Sequence, residues 1–137
     1  MKTTELRIGN FISINFGNCD DGKTITVDGV SDCEIYNEEH GYSPCNEFKP
    51  IPLTEQWLLD FGFKICTKSG VHNGWGIGEN PLTHDYFLFL AWMKNEDGTL
   101  AELFYRNGYH TIKYVHQLQN LFFALAQEEL ILKERTL

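Results

Sequence analysis

One long stretch with an uninterrupted helical period, Tyr114 to Leu132, constrains the fold most strongly. It reads YVHQLQNLFFALAQEELIL and contains no Gly or Pro. Its apolar residues recur at steps of three and four, which makes one side of a helix apolar: Val115, Leu118, Phe122 and Leu125, with Tyr114 and Leu121 beside them. An isolated amphipathic helix is only marginally stable in water, so this side must pack on another element. We therefore expect the helix to cover a sheet.

Alternating residues and turn signals predict that this sheet is built from antiparallel hairpins. Leu6 to Phe16 reads as a strand with a break at Gly9-Asn10, and Thr24 to Val30 follows it after a turn. Residues 31–50 read as a long loop or an irregular third strand. Tyr86 to Met93 is apolar at every position, which predicts a central strand with both faces covered, and we place it beneath the helix. Leu100 to Arg106 alternates and completes a second hairpin.

A short helix is predicted in the middle of the chain, within PIPLTEQWLLDFGFK at Pro50 to Lys64. Thr54 suits an N-cap, and Gly62 is placed to end the helix in a left-handed conformation, with Phe63 folding back in a Schellman contact. Trp57, Leu58 and Phe61 then form a core plug. A short strand from Phe63 to Thr67 follows.

The glycines from Gly70 to Gly78 suggest a phosphate loop at first sight. A nucleotide-binding loop needs a helix opening from it, whereas Asn80-Pro81 follows here. We expect a flexible turn or a Gly-weakened edge strand. The predicted class is thus α+β: a curved, mainly antiparallel sheet, one short central helix and one longer C-terminal helix. The 137 residues fit one domain, with a seam at the acidic loop 31–49.

Charge is the strongest guide to partners. The net charge is -8, from 19 acidic and 11 basic residues. The segment from Asp20 to Glu47 has a single base, Lys23, and predicts an acidic surface formed by Asp20, Asp21, Asp28, Asp32, Glu34, Glu38 and Glu39. A phosphate-binding face needs clustered Lys and Arg, so nucleic acid is an unfavourable partner. A basic protein is the complementary one.

Metal and membrane sites receive no support from the sequence. The four cysteines form no Cys-x-x-Cys pair, and the Asp20-Asp21-Gly22 cluster lacks the ligand ladder of a calcium loop, so it reads as a hairpin turn. We predict reduced cysteines, no metal and no cofactor. The start, MKTTELRIGN, lacks a secretory pattern, and no apolar run reaches 18 residues, which favours a cytoplasmic protein that does not enter a membrane.

Five histidines could serve acid-base chemistry: His40, His72, His84, His110 and His116. None lies beside a recognisable partner, and protease and hydrolase signatures are missing from the sequence. No catalytic residue is therefore assigned, and we expect a protein that is not an enzyme.

The long helix carries a second stripe, on the side opposite its apolar residues. His116, Asn120, Phe123 and Gln127 are spaced by four, three and four residues, with Gln119 at the margin. An aromatic residue ringed by hydrogen-bonding groups is common at interface centres, so this stripe is a candidate partner-binding surface. The alternative is that Phe123 is covered by a loop or by a second copy of the chain, or is simply exposed.

Three blocks of this sequence resemble an uncharacterised protein family of gut anaerobes and their phages or mobile elements. They are ELRIGNFIS at Glu5 to Ser13, IPLTEQWLLDFGFK at Ile51 to Lys64, and IKYVHQLQNLFFALAQEEL at Ile112 to Leu130. The family has no established activity, so the resemblance implies a phage or mobile-element origin and brings no site residues.

We therefore predict a non-enzymatic, acidic accessory protein that binds a protein partner. In one version it meets a basic partner, such as a nucleic-acid-binding protein whose DNA it mimics, and self-association stays open. The alternative is an enzyme or small-ligand binder with a pocket between the sheet and the C-terminal helix, using His110, His116 or Tyr114.

Overall fold

The structure, a computed structural model, describes residues 2–67, 73–79, 82, 86–94, 100–105 and 110–133. Its strands are β1 Phe11–Ile14, β2 Thr24–Thr26, β3 Gly29–Val30, β4 Glu34–Asn37, β5 Gly41–Pro44, β6 Phe48–Lys49, β7 Lys64–Thr67, β8 Asn73–Glu79, β9 Tyr86–Lys94, β10 Leu100–Tyr105 and β11 His110–Ile112. Its α-helices are α1 Glu55–Asp60 and α2 Val115–Ala126, and short 3-10 helices span Thr3–Glu5 and Cys45–Glu47. The predicted α+β class is confirmed, including the short central helix and the longer C-terminal one.

The described strands pair antiparallel and form three sheets, ordered β2-β1-β6, β3-β4-β5 and β11-β10-β9-β8-β7. The chain divides into two compact units. The N-terminal unit contains residues 1–52 and 114–129, and the C-terminal unit contains residues 53–113 and 130–137. Helix α2 therefore belongs with the two small N-terminal sheets.

The N-terminal unit has a small aliphatic core that alternation dictates. Ile12 and Ile14 point to one face of β1 and are almost fully buried, as period two predicts. They pack with buried residues from the neighbouring strands and connections: Ile25, Val27, Ile35 and Phe48. The predicted break in the first strand is confirmed, because Gly9 has a φ of 96° that other residues rarely adopt. The strand itself begins only at Phe11.

Residues 31–50 are more regular than a loop. They form the hairpin β4–β5, with Ile35 opposite Ser43 and Tyr36 opposite Tyr42, and the short strand β6, which pairs with β1. The strands are only two to four residues long, too short for a clear period to emerge. The turn between β4 and β5 is capped by Asn37, whose Oδ1 accepts hydrogen bonds from the backbone of Glu39 and His40.

The short helix α1 is formed as its sequence predicts. Thr54 is the N-cap and its side chain accepts a hydrogen bond from the Trp57 amide. Gly62 has a φ of 93°, and the amides of Gly62 and Phe63 donate to the carbonyls of Leu59 and Leu58, which is a Schellman motif. Leu58 and Phe61 are buried and Trp57 is half-buried, so the core plug is confirmed for two of its three members.

The described part of the glycine-rich segment, from residue 73 onward, lies in an internal strand, contrary to the expectation of a turn or an edge strand, and Gly70 lies outside the described residues. β8 lies between β7 and β9. Trp75 and Leu90 oppose each other on the buried side, while Gly74 and Gly76 pair with Ala91 and Phe89 on the other side. A Cβ on Gly74 would lie 2.4 Å from the Leu90 carbonyl oxygen and 2.4 Å from Cζ of Phe89. The glycines therefore make room for the aromatic residues of β9.

Strand β9 is the central strand of the five-stranded sheet, as predicted. The two faces of β9 are not equally covered, although both were predicted to be. Leu88 and Leu90 on one face are buried, whereas Phe87 on the other face is half-exposed. The prediction that this strand lies beneath the C-terminal helix stays a prediction. Helix α2 packs beside β1 in the N-terminal unit, while β9 belongs to the C-terminal unit.

The long helix ends earlier than its sequence period suggests. Gln127 adopts a left-handed conformation with a φ of 57° and its amide donates to the Phe123 carbonyl, so the last helical residue is Ala126. Glu128 and Glu129 follow, and negative charge is unfavourable at the carboxyl end of a helix dipole. The helix thus ends at a left-handed Gln127, at a position where the sequence has no Gly or Pro.

Replacing Gly74 with Ala should destabilise the protein by about 3 kcal/mol, because the added methyl group overlaps backbone atoms of β9 that cannot move independently. The control is Gly17→Ala. Gly17 has a positive φ, which Gly74 does not have, but it has open space where its Cβ would lie, so this variant bears only the backbone strain and should lose about 1 kcal/mol. Urea unfolding of the three proteins measures the difference, and equal losses would contradict the close packing of β8 on β9.

Candidate functional site

The predicted polar stripe of α2 lies partly inside the protein. His116 is 1% exposed, and Gln119 at the margin of the stripe is also 1% exposed. Asn120 is half-buried, while Phe123 and Gln127 are exposed. On the opposite side Val115 and Leu118 are fully buried, as predicted, but Leu125 is 39% exposed. The buried face of the helix is therefore rotated toward the polar stripe.

Two amide side chains of this stripe bind the N-terminal segment. Gln119 accepts a hydrogen bond from the Phe11 amide at 2.8 Å and donates to the Gly9 carbonyl at 3.0 Å. Asn120 accepts from the Asn10 side chain at 2.8 Å and donates to the Glu5 carbonyl at 3.0 Å. These bonds satisfy backbone groups where the chain turns into β1. Their role in this structure is to join the two ends of the N-terminal unit.

His116 is buried without hydrogen bonds to either ring nitrogen among the described residues. Its ring stacks on Tyr114, with centroids 5.8 Å apart and planes inclined by 8°. Burial lowers the pKa of His116, and the nearby Glu5 carboxylate opposes that shift less strongly. The imidazole is therefore held in its neutral form. A buried neutral ring can pack in the core but cannot contact a partner without a change of structure.

Phe123, the proposed anchor of the stripe, is covered on one face by an arginine. The Arg7 guanidinium lies over the Phe123 ring, 4.1 Å from its centroid. The same guanidinium donates to both carboxylate oxygens of Glu129, to Oε2 at 3.0 Å. The group therefore combines a cation-π contact with a two-point ion pair. Phe123 keeps 37% of its surface exposed, so its partner-binding role, like that of Gln127, stays a prediction.

The acidic segment is ordered, and several of its carboxylates accept hydrogen bonds that stabilise its conformation. Asp20 forms an ion pair with Lys23 at 2.6 Å, and that hydrogen bond holds the pKa of Asp20 below its ordinary value. Asp21 accepts from the Gly17 amide at 2.9 Å, which confirms the hairpin turn. Asp28 accepts from the Glu38 amide at 2.8 Å. These three acids are thus partly used in hydrogen bonds within the segment.

The remaining carboxylates of the segment point to solvent. Asp32, Glu38 and Glu39 are exposed and Glu34 is half-exposed. The carboxylates of Asp32, Glu34 and Glu38 make no hydrogen bond or ion pair within the described part of the chain. Glu39 lies 3.9 Å from the imidazole of His40, which attracts it only when that ring is protonated. These side chains are available to a partner.

A pair of tyrosines lies among these acids. Tyr36 and Tyr42 oppose each other on β4 and β5, with ring centroids 4.8 Å apart, and Tyr42 is 66% exposed. Glu34 shares their face because it lies two residues before Tyr36 on the same strand. Gly29 opposes Tyr36 from β3, which leaves space for the ring. We call Glu34, Tyr36, Tyr42 and Pro44 the tyrosine face. In the sequence, this face could have been found from the alternating segments EIYN of β4 and GYSP of β5.

The acidity of the protein is confined to one unit. The N-terminal unit has eleven acidic and four basic residues, a net charge of -7. The C-terminal unit has eight acidic and seven basic residues, a net charge of -1. The charge bias is therefore a property of the unit that carries the tyrosine face.

A cleft of about 390 Å³ lies within the C-terminal unit, at a different place from the predicted pocket beside the C-terminal helix. It is lined by Thr54, Gln56, Trp57, Asp60, Leu132 and Lys133. The Gln56 side chain donates to the Asp60 carboxylate at 2.8 Å, and the Lys133 amide donates to the Asp60 carbonyl at 2.7 Å. An aromatic ring beside these polar groups suits a small polar ligand, and ligand binding stays a prediction.

Other candidate groups are only partly described. His72 and His84 lie outside the described residues, and for His110 the backbone alone is described, in β11. Cys19 and Cys33 are exposed free thiols and Cys45 is a half-buried one. Within the described ranges no three His, Cys, Asp or Glu side chains are grouped as metal ligands. No helix in the described part of the chain is long and apolar enough to span a membrane.

Comparison with known proteins finds no matching family model, no matching curated protein and no matching solved structure.

Stability should depend on pH through His116. Below a pH of about 6.5 the unfolded chain takes up a proton at this residue, while the folded chain does not, so stability falls as the pH decreases from 7 to 5. His116→Phe keeps a ring against Tyr114 and should flatten this part of the profile. Thermal unfolding of both proteins between pH 5 and 8 tests it, and parallel profiles would contradict a buried neutral His116.

Gln119→Leu should destabilise the protein by about 2–3 kcal/mol, because the Phe11 amide and the Gly9 carbonyl would lose their partner in a buried place. Leu125→Gln makes the opposite exchange on the exposed side of the same helix and should change stability by less than about 1 kcal/mol. Denaturant unfolding compares the two. If Gln119→Leu left the free energy of unfolding unchanged, the packing of the helix would not depend on these hydrogen bonds.

Proposed function

We propose that this chain is a cytoplasmic, non-enzymatic interaction protein whose N-terminal unit binds a basic protein partner. The observation that supports the proposal most directly is the separation of charge between the two units, -7 against -1. A partner with a basic surface is attracted to one unit and not to the whole molecule. Electrostatic complementarity of this kind guides association and selects partners.

The geometry of the acidic segment adds to this support. Its free carboxylates lie on short, hydrogen-bonded strands and turns, so little conformational freedom is lost when they contact a partner. The segment also contains an exposed aromatic residue, Tyr42, and aromatic residues are enriched at the centres of interfaces. The only lysine within it, Lys23, is already paired with Asp20.

We retain the phage or mobile-element origin as part of the proposal. It rests on the three sequence blocks described above, and the identity of the neighbouring genes tests it. A basic nucleic-acid-binding protein would be a chemically suitable target for an acidic surface.

A matched pair of charge variants tests the partner chemistry. The probe is a twelve-residue peptide with three Arg and three Lys separated by Gly and Ser, titrated into the full chain by fluorescence anisotropy at several salt concentrations. We expect binding that weakens with salt. Glu34→Gln with Glu38→Gln should reduce affinity about fivefold or more, since each exposed ion pair contributes up to about 1 kcal/mol.

The control is Glu55→Gln with Glu128→Gln, which removes the same charge from exposed positions outside the acidic segment. It should leave the affinity nearly unchanged. Equal weakening in both variants would mean that the peptide responds to net charge alone, and no binding at low salt would overturn the proposal of a basic partner.

A further inference from the structure

We propose that the tyrosine face is an arginine-recognition surface, which receives a guanidinium group of the partner on the ring of Tyr42 and pairs it with the carboxylate of Glu34. This inference rests on the proposed function and specifies its partner: a protein segment with exposed arginine in preference to lysine. Charge complementarity between the acidic face and a guanidinium group identifies the occupant.

The first step is the exposure of the aromatic pair. Tyr36 supports Tyr42 from the neighbouring strand, with centroids 4.8 Å apart and planes inclined by 39°, and leaves Tyr42 66% exposed. A large ring held by a neighbour at a strand pair offers a flat surface that loses little side-chain entropy on binding. The exposed surface is therefore suited to stacking.

The second step is the placement of the carboxylates around this pair. Glu34 lies on the same face as Tyr36, two residues along β4, at a spacing of about 7 Å. The Asp28 amide donates to the Tyr36 carbonyl at 2.9 Å, and the Asp28 carboxylate accepts from the Glu38 amide. The Glu34 carboxylate thus shares the face of the aromatic pair, while Asp28 and Glu38 add negative charge in the same acidic segment.

The same unit already contains one guanidinium bound by a ring and a carboxylate. The Arg7 guanidinium lies over the Phe123 ring at 4.1 Å and is held by both carboxylate oxygens of Glu129. That group shows how an aromatic ring and a carboxylate together bind one guanidinium. The tyrosine face presents the same two components, a ring and a neighbouring carboxylate, toward solvent and without an arginine of its own among the described residues.

The chemistry favours arginine over lysine. A planar guanidinium stacks on an aromatic ring and donates two parallel hydrogen bonds to a carboxylate, whereas an ammonium group is a strongly hydrated point charge. Because Tyr42 is exposed, the advantage should be moderate. We expect an arginine peptide to bind about five to ten times more tightly than a lysine peptide of equal charge.

The test compares two peptides of the same length and charge, one with six Arg and one with six Lys, against the full chain and two variants. In the unaltered chain the arginine peptide should bind more tightly. Tyr42→Ala should remove this preference while both peptides keep salt-dependent binding, and Tyr42→Phe should preserve it because the ring remains. Melting temperatures confirm that the variants are folded, as expected for an exposed side chain.

The outcomes separate this inference from the proposed function. Equal affinity for the two peptides, or an arginine preference that survives in Tyr42→Ala, overturns the arginine surface and leaves the acidic interaction unit standing. Binding of neither peptide overturns both. Loss of the preference in Tyr42→Ala but not in Tyr42→Phe supports the stacking of a guanidinium on this ring.

Discussion

The N-terminal unit depends on the carboxamide of Gln119, which joins a helix near the end of the chain to backbone groups near its beginning. Its two hydrogen bonds reach across 108 and 110 residues of sequence, to Phe11 and Gly9. Phe11 is the first residue of β1, and both β2 and β6 pair with β1. A polar group buried at such a position is costly unless it is bonded, so these contacts specify where the first strand begins.

Hydrophobic period alone could not reveal this arrangement. It identified the helix and placed Val115 and Leu118 in the core, and both are fully buried. It assigned His116 and Gln119 to the other side because it treats polar residues as solvent-facing, yet the surface that Gln119 meets consists of backbone amides and carbonyls. A carboxamide can satisfy a donor and an acceptor together, which an apolar residue cannot do. The helix face was therefore decided by hydrogen bonding that only the tertiary structure shows.

Local motifs and long-range pairing differ in how well they can be predicted. The cap at Thr54 and the left-handed Gly62 follow from neighbours within five residues, and both were predicted from sequence. The placement of β8 depends on strands on either side of it. Its glycines at every second position discouraged a strand, although this spacing leaves one face free for the rings of Phe87 and Phe89. The pattern makes sense only when the partner strand is known.

The acidic segment shows why total charge is an incomplete guide to binding. At physiological ionic strength charges interact over about 8 Å, so a partner responds to the few carboxylates near its own cations and not to the sum of -8. Within the segment, Asp20 and Asp21 are engaged in a turn and Asp28 accepts from the Glu38 amide, while the carboxylates of Glu34 and Glu38 are free and Glu34 shares a face with Tyr36. The same residue type thus stabilises the fold at one position and remains available at another. The hydrogen bonds of the engaged carboxylates hold the strands and turns in place, so the free carboxylates lie at defined spacings. Defined spacing allows a charged surface to distinguish one basic partner from another.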